Sequence, residues 1–220
     1  MKKMKNNVIQ TFALICLLLI SFSVKAELKG KQLAWACFSC HGVEGVSQGP
    51  ATPVIAGLSD NYLIGAMLSY KYADDLDKAE EIIENDSSLE DVRINQRFSA
   101  MMQRIAKAYT LEEIKYIAEY FSQEEFVMIE QTFDKKMAKN GKKRHKKYCD
   151  KCHEDWGTST EDDVGLLAGQ WRTYLEYTLE DFTSGDREMP KKMKKKMKKM
   201  IKKHGEESLQ DLVEFYSSQR

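Results

Sequence analysis

Between residues 110 and 121 the apolar side chains Leu111, Ile114, Ile117, Ala118 and Phe121 stand three or four apart, the spacing of one helical face. Thr110 opens this run as Thr-Leu-Glu-Glu, a capping-box pattern in which hydroxyl and carboxylate satisfy each other's backbone N–H groups. The same face returns near the end of the chain as Leu209, Leu212, Val213 and Tyr216. Residues 28–40 predict a further helix, with Leu28, Leu33, Trp35 and Ala36 apolar. From Asn61 to Tyr72 the apolar positions 62, 63, 64, 66, 67 and 68 are too dense for alternation and predict a buried helix. No run alternates convincingly as a strand would, so the expected fold class is all-α.

The pattern is written twice. A shift of 112 residues carries Cys37 onto Cys149, Ile55-Ala56-Gly57 onto Leu167-Ala168-Gly169, Tyr62 onto Tyr174 and Tyr70 onto Phe182. Towards the ends the offset falls to 95, and Ile117–Phe121 meets Leu212–Tyr216. The first unit is therefore longer by 17 residues, placed between its Gly-containing element and its last helix. Such self-similarity marks a duplicated module. The expected units are 27–123 and 140–220, with a linker over 124–139.

The chain start changes the count of charges. Lys2, Lys3 and Lys5 precede an apolar run from Val8 to Ile20, and Val24 and Ala26 are the small residues of a cleavage site before Glu27. Residues 1–26 thus predict a secretory signal peptide. The apolar run is short of the roughly 20 residues that span a bilayer, and bulky Ile15 ahead of Cys16 disfavours lipoprotein processing. The segment holds four lysines and no acid, which turns the formal balance of 34 bases and 34 acids into 30 against 34. The expected product is exported and mildly acidic, without stable membrane insertion after cleavage.

Cysteine placement then narrows the chemistry. Setting Cys16 aside, the remaining cysteines fall in Cys37-Phe38-Ser39-Cys40-His41 and Cys149-Asp150-Lys151-Cys152-His153. Cys-x-x-Cys-His is the attachment pattern of c-type haem. Two thiols three positions apart can each form a thioether to one porphyrin vinyl group, and the adjacent His can bind the iron from below. A four-Cys zinc site or two short disulfides would leave both histidines unexplained, and no strand–helix alternation supports a thioredoxin-like pair. Two covalent haems c are expected, in two small all-α units wrapped around them.

A second axial ligand of each iron would be a Met between the Gly-containing element and the last helix. Met101 and Met102 qualify in the first unit; Met189, Met193, Met197 and Met200 qualify in the second. Met193, Met197 and Met200 share a face with Ile201, so at least two of them read as helix packing. Met189 stands in a loop before Pro190, which suits a helix start.

The mature chain resembles the dihaem cytochrome subunits of flavocytochrome c sulfide dehydrogenases, relatives of the dihaem cytochromes c4. The matching stretches are Leu167-Ala168-Gly169-Gln170-Trp171, Met102-Gln103-Arg104-Ile105-Ala106-Lys107-Ala108-Tyr109 and Arg187-Glu188-Met189-Pro190-Lys191-Lys192-Met193, besides the haem motifs. The resemblance implies two tandem class I cytochrome c domains and places the first axial Met on Met102. It leaves Met189 and Met193 open. It also implies a periplasmic heterodimer with a flavoprotein that carries FAD and oxidises sulfide, passing electrons to these haems and on to a downstream acceptor, this chain itself having no catalytic residue. A free-standing dihaem carrier serving a terminal oxidase is the alternative. Paired modules would face each other with their haem edges, where Trp171 or Arg172 would meet haem propionates.

Charge is blocked along the chain. Residues 74–91 hold nine acids against Lys78, residues 191–203 hold nine lysines, and 135–147 hold eight bases. These read as solvated faces or as docking patches that steer a redox partner. In an exported protein the lysine run does not predict nucleic-acid binding. His145, inside a basic run, reads as a solvated side chain.

Overall fold

The computed structural model describes residues 28–160 and 163–220. The expected signal peptide lies outside the described residues. The N-terminal half is built from α1 (28–41), α2 (Asp60–Lys71), α3 (Leu76–Glu84), α4 (Ala100–Lys107) and α5 (Leu111–Gln123). The C-terminal half follows as α6 (Lys135–Tyr148), α7 (Arg172–Ser184), α8 (Lys191–His204) and α9 (Glu207–Ser217). No strand occurs among the described residues.

The helices start where the sequence supplies caps. Thr110 and Glu113 form the full capping box at α5, and Ser59, Asp75, Ser99 and Asp134 each accept a backbone N–H at the starts of α2, α3, α4 and α6. Each half closes the same way, with its first helix lying against its last. The approach is close enough to require glycine at the contact. A Cβ on Gly30 would stand 2.5 Å from the Tyr116 carbonyl oxygen, and one on Gly141 would stand 1.9 Å from that of Asp211.

Behind these crossings lie two apolar clusters. One gathers Leu63, Ile64, Leu68, Ile114, Ile117 and Phe121; the other gathers Leu175, Met197, Met200, Leu212, Phe215 and Tyr216. Met197 and Met200 are thus packing residues on the inner face of α8, as their shared face with Ile201 predicts. The extra length of the first half is α3 with the 3-10 turn Ser87–Leu89, which carry the acidic block and bury Ala79 and Leu89.

The stretch expected as linker differs in two ways. α6 begins at Lys135, inside it, and the residues before α6 are stitched down rather than free. Ile129 N–H donates to the Gly169 carbonyl (2.8 Å), the Gln131 amide to the Gln170 carbonyl (2.8 Å) and Asp134 N–H to Glu214 Oε2 (2.7 Å). On the way, Phe126 packs on Gly57 and Met128 on Gly169. Both glycines have left-handed φ, +68° and +71°, so conformation and contact alike exclude a side chain there.

Candidate functional site

The first Cys-x-x-Cys-His segment ends α1. Cys37 is half-buried and Cys40 exposed, both as free thiols, and burial pushes the Cys37 thiol up to about 11. His41 is the last residue of α1 and nearly buried. Its Nδ1 lies 2.9 Å from the Pro53 carbonyl oxygen. A carbonyl only accepts, so Nδ1 carries the proton and Nε2 keeps its lone pair, the tautomer that a metal requires. Burial holds the ring below its ordinary pKa despite that bond, in the neutral form that binds metal.

The second segment sits just past the end of α6, where turns replace helix. Cys149 caps α6, and the N–H groups of Cys152 and His153 both donate to the Cys149 carbonyl (3.1 and 3.0 Å). Burial raises the Cys149 thiol to about 11 and lowers the His153 imidazole to about 4. His153 Nδ1 is buried without a hydrogen-bond partner among the described residues. Two neutral imidazoles, one buried and one half-buried, each beside a pair of free thiols, suit the donor set of a c-type haem. Among the described residues no three His, Cys, Asp or Glu side chains converge as a metal cluster, so the two Cys pairs do not meet as a zinc site needs.

Of the methionines, Met102 is half-buried in the first turn of α4, its N–H capped by Ser99 Oγ (3.3 Å), whereas Met101 is exposed. Met189 lies in the loop ahead of α8 and Met193 in the first turn of α8; both are half-buried against the C-terminal cluster. Pro190 is the N-cap of α8 rather than its first helical residue.

Two side chains, His145 and Arg172, behave differently from expectation, whereas Trp171 keeps its expected place between the halves. His145 is completely buried, not solvated: Nδ1 meets Tyr216 Oη at 3.0 Å and Nε2 lies 3.3 Å from Asp150 Oδ1, under Trp156 and Phe215. It fills the gap between α6 and α9, a tertiary setting that the surrounding lysines conceal. Arg172 does not await an anion, because its guanidinium bonds to Glu214 (3.1 Å) and to the Thr132 carbonyl. Trp171 does line the junction: its Nε1–H donates to the Ser47 carbonyl (3.1 Å), and its ring covers Gly49.

Two arginines that are withdrawn from solvent lack a carboxylate partner among the described residues, Arg97 and Arg187. Arg97 is nearly buried, 5.7 Å from the ring centres of both Tyr62 and Tyr70. Arg187 stacks on Phe182 at 4.5 Å and donates to Tyr62 Oη at 3.5 Å, while its Nε is buried with no partner. Neither guanidinium forms an ion pair among the described residues. Burial alone would raise the Tyr62 pKa, but the two cations outweigh it and lower it; Tyr174 is raised by burial and by Tyr62. This is a junction with positive charge in excess, drawn from both halves. The sequence held one signal for it: each Arg stands shortly before a candidate axial Met.

Comparison with known proteins agrees with this geometry. Residues 28–124 match the family model described as Cytochrome c. The cytochrome subunit of sulfide dehydrogenase from Chlorobaculum tepidum is 36% identical over 95 residues, which is 43% of this chain. The match spans 66% of that protein, just under two thirds of its length. Among solved structures, cytochrome c4 from Pseudomonas stutzeri superposes with a TM-score of 0.65 at 22% identity, covering 87% of this chain and 97% of that one. Cytochrome c4 from Acidithiobacillus ferrooxidans gives 0.56 at 22% identity, covering 83% of this chain and 98% of that one. Thiosulfate dehydrogenase from Marichromatium purpuratum gives 0.66 at 18% identity, over 88% of this chain and 40% of that one. Residues 28–124 are a cytochrome c domain, in a chain whose all-α fold is that of the cytochromes c4.

Proposed function

We propose that this chain is the dihaem electron-transfer subunit of a periplasmic sulfide dehydrogenase, taking electrons from a flavoprotein that carries FAD and delivering them to a downstream acceptor. The observation that carries the reading is the pair of Cys-x-x-Cys-His segments at equivalent places in two packed halves, each ending in a neutral imidazole, buried at His41 and half-buried at His153. Cys37 and Cys40, and Cys149 and Cys152, would hold one haem c each through thioethers. His41 and His153 would each hold an iron through a ring nitrogen. Met102 would supply a thioether ligand in the N-terminal half, and Met189 or Met193 in the C-terminal half.

When bound, the haems supply a one-electron iron couple, which His–Met ligation poises towards the reduced state. The protein's own residues do the rest. Burial keeps His41 and His153 neutral, and the Pro53 carbonyl orients the His41 ring. Arg97, nearly buried, and Arg187, half-buried with a buried unpartnered Nε, form no ion pair and would bind a carboxylate of a haem such as a propionate. No residue of this chain is assigned to bond chemistry on sulfide.

The sulfide-oxidising partner is supported by the Chlorobaculum tepidum relative, itself named the cytochrome subunit of sulfide dehydrogenase. A second reading, a free-standing carrier, is favoured by the coverage of cytochrome c4 across both halves. Coexpression with an FAD-containing sulfide dehydrogenase subunit, then size exclusion and sulfide-dependent haem reduction, separates them. Comigration and reduction by sulfide are expected. A cytochrome that never comigrates and reduces an oxidase unaided would establish the second reading.

A further inference from the structure

We propose that Gln170, in the C-terminal half, is a positioning residue for His41 in the N-terminal half and tunes the N-terminal haem through a single peptide group. The inference rests on the reading of His41 as a haem ligand. The Pro53–Val54 peptide is engaged at both ends: its oxygen accepts from His41 Nδ1–H at 2.9 Å, and its N–H donates to Gln170 Oε1 at 2.8 Å. Gln170 also donates from Nε2 to the next carbonyl, that of Val54, at 2.9 Å. The side chain is 1% exposed, so water does not compete for these bonds. Its position is held by its own backbone, since Trp171 N–H donates to Oε1 (3.2 Å) and the Gln170 carbonyl accepts from Gln131 (2.8 Å).

Carbonyl and N–H of one peptide share a delocalised π system, so a bond accepted from the N–H makes the oxygen more negative. A more negative Pro53 oxygen draws harder on the His41 Nδ1 proton. The ring then gains imidazolate character and donates more strongly from Nε2, the usual effect of an outer hydrogen bond on a ligating histidine. Stronger donation favours the oxidised iron and lowers its reduction potential. The effect is one-sided: the 112-residue shift puts Leu58 opposite Gln170, and His153 Nδ1 has no partner among the described residues. Packing of the second half is thereby read out at the axial ligand of the first.

The test is a spectroelectrochemical titration of Gln170→Leu, with Trp171→Phe as the matched control. Trp171→Phe removes another bond between the halves, to the Ser47 carbonyl, without touching the Pro53–Val54 peptide. Gln170→Asn, one methylene shorter, withdraws the amide while keeping a polar group. In both Gln170 variants one haem should shift to higher potential, its oxidised-to-reduced ratio at a fixed applied potential falling severalfold, while the other haem stays. Trp171→Phe should leave both potentials in place. Equal shifts of both haems, no shift in either Gln170 variant, or the same shift in Trp171→Phe would overturn the proposal. Haem counting on the unmutated protein separates the two levels: a chain without two haems removes the underlying reading, whereas a dihaem chain with unmoved potentials removes only this one.

Discussion

Met102 stands in the first turn of α4, and Met189 and Met193 flank the start of α8, so three thioether sulfurs compete for two positions. Sulfur bound to ferric haem gives a weak near-infrared absorption, which makes the assignment measurable. Met102→Ala should remove half of that band. Met189→Ala or Met193→Ala, but not both, should remove the other half. If neither second-half variant changes it, both assignments fall. A second expectation concerns charge. Arg97→Gln and Arg187→Gln each delete a cation proposed to meet a propionate, which favours the more positive ferric state, so redox titration should find lowered potentials. Unchanged potentials would make the cluster a purely structural stack of guanidinium on aromatic rings. At this scale the sequence was legible where chemistry dictates spacing, as in Cys37 to His41 and Cys149 to His153. It was not legible where tertiary contacts decide: Arg172 and Arg187 look alike in the chain, yet one pairs with Glu214 and the other meets only Tyr62 and Phe182.

The helices owe their ends to local chemistry and their packing to glycine. Thr110→Ala takes away half of the capping box of α5 and should cost about 1 kcal/mol. Gly141→Ala drives a Cβ into the Asp211 backbone oxygen and the Phe215 Cβ, which cannot swing aside, so it should cost about 3 kcal/mol, the upper end for overpacking. Urea unfolding of both variants, at matched slope, checks the order. An equal effect from the two would mean that α6 and α9 can separate freely. Periodicity predicted α1, α2, α5 and α9 within a residue or two, because an apolar face is a local signature. Gly30 and Gly141 carried no such signature, since what they approach is a distant helix. The linker was misjudged for a related reason: its partners, Gly169, Gln170 and Glu214, lie in another part of the chain.

Across the whole molecule the duplication seen in the sequence is repeated in the structure. Each half presents a thiol pair and a neighbouring histidine, and the halves meet through Gln170, Trp171, Arg97 and Arg187. Acidic α3 and lysine-rich α8 expose opposite charge, and association with a flavoprotein that uses either face should weaken as salt rises through the range where the Debye length falls from about 10 Å to 3 Å. Salt-independent association would move the contact to the apolar exposures at Trp35 or Phe98. All of this depends on the cofactor count. The direct measurement is the pyridine haemochrome assay on the purified chain, joined to its intact mass. The account predicts two haems per chain, covalently held and resistant to acid–acetone extraction. One haem per chain, or haem that the solvent removes, would contradict it.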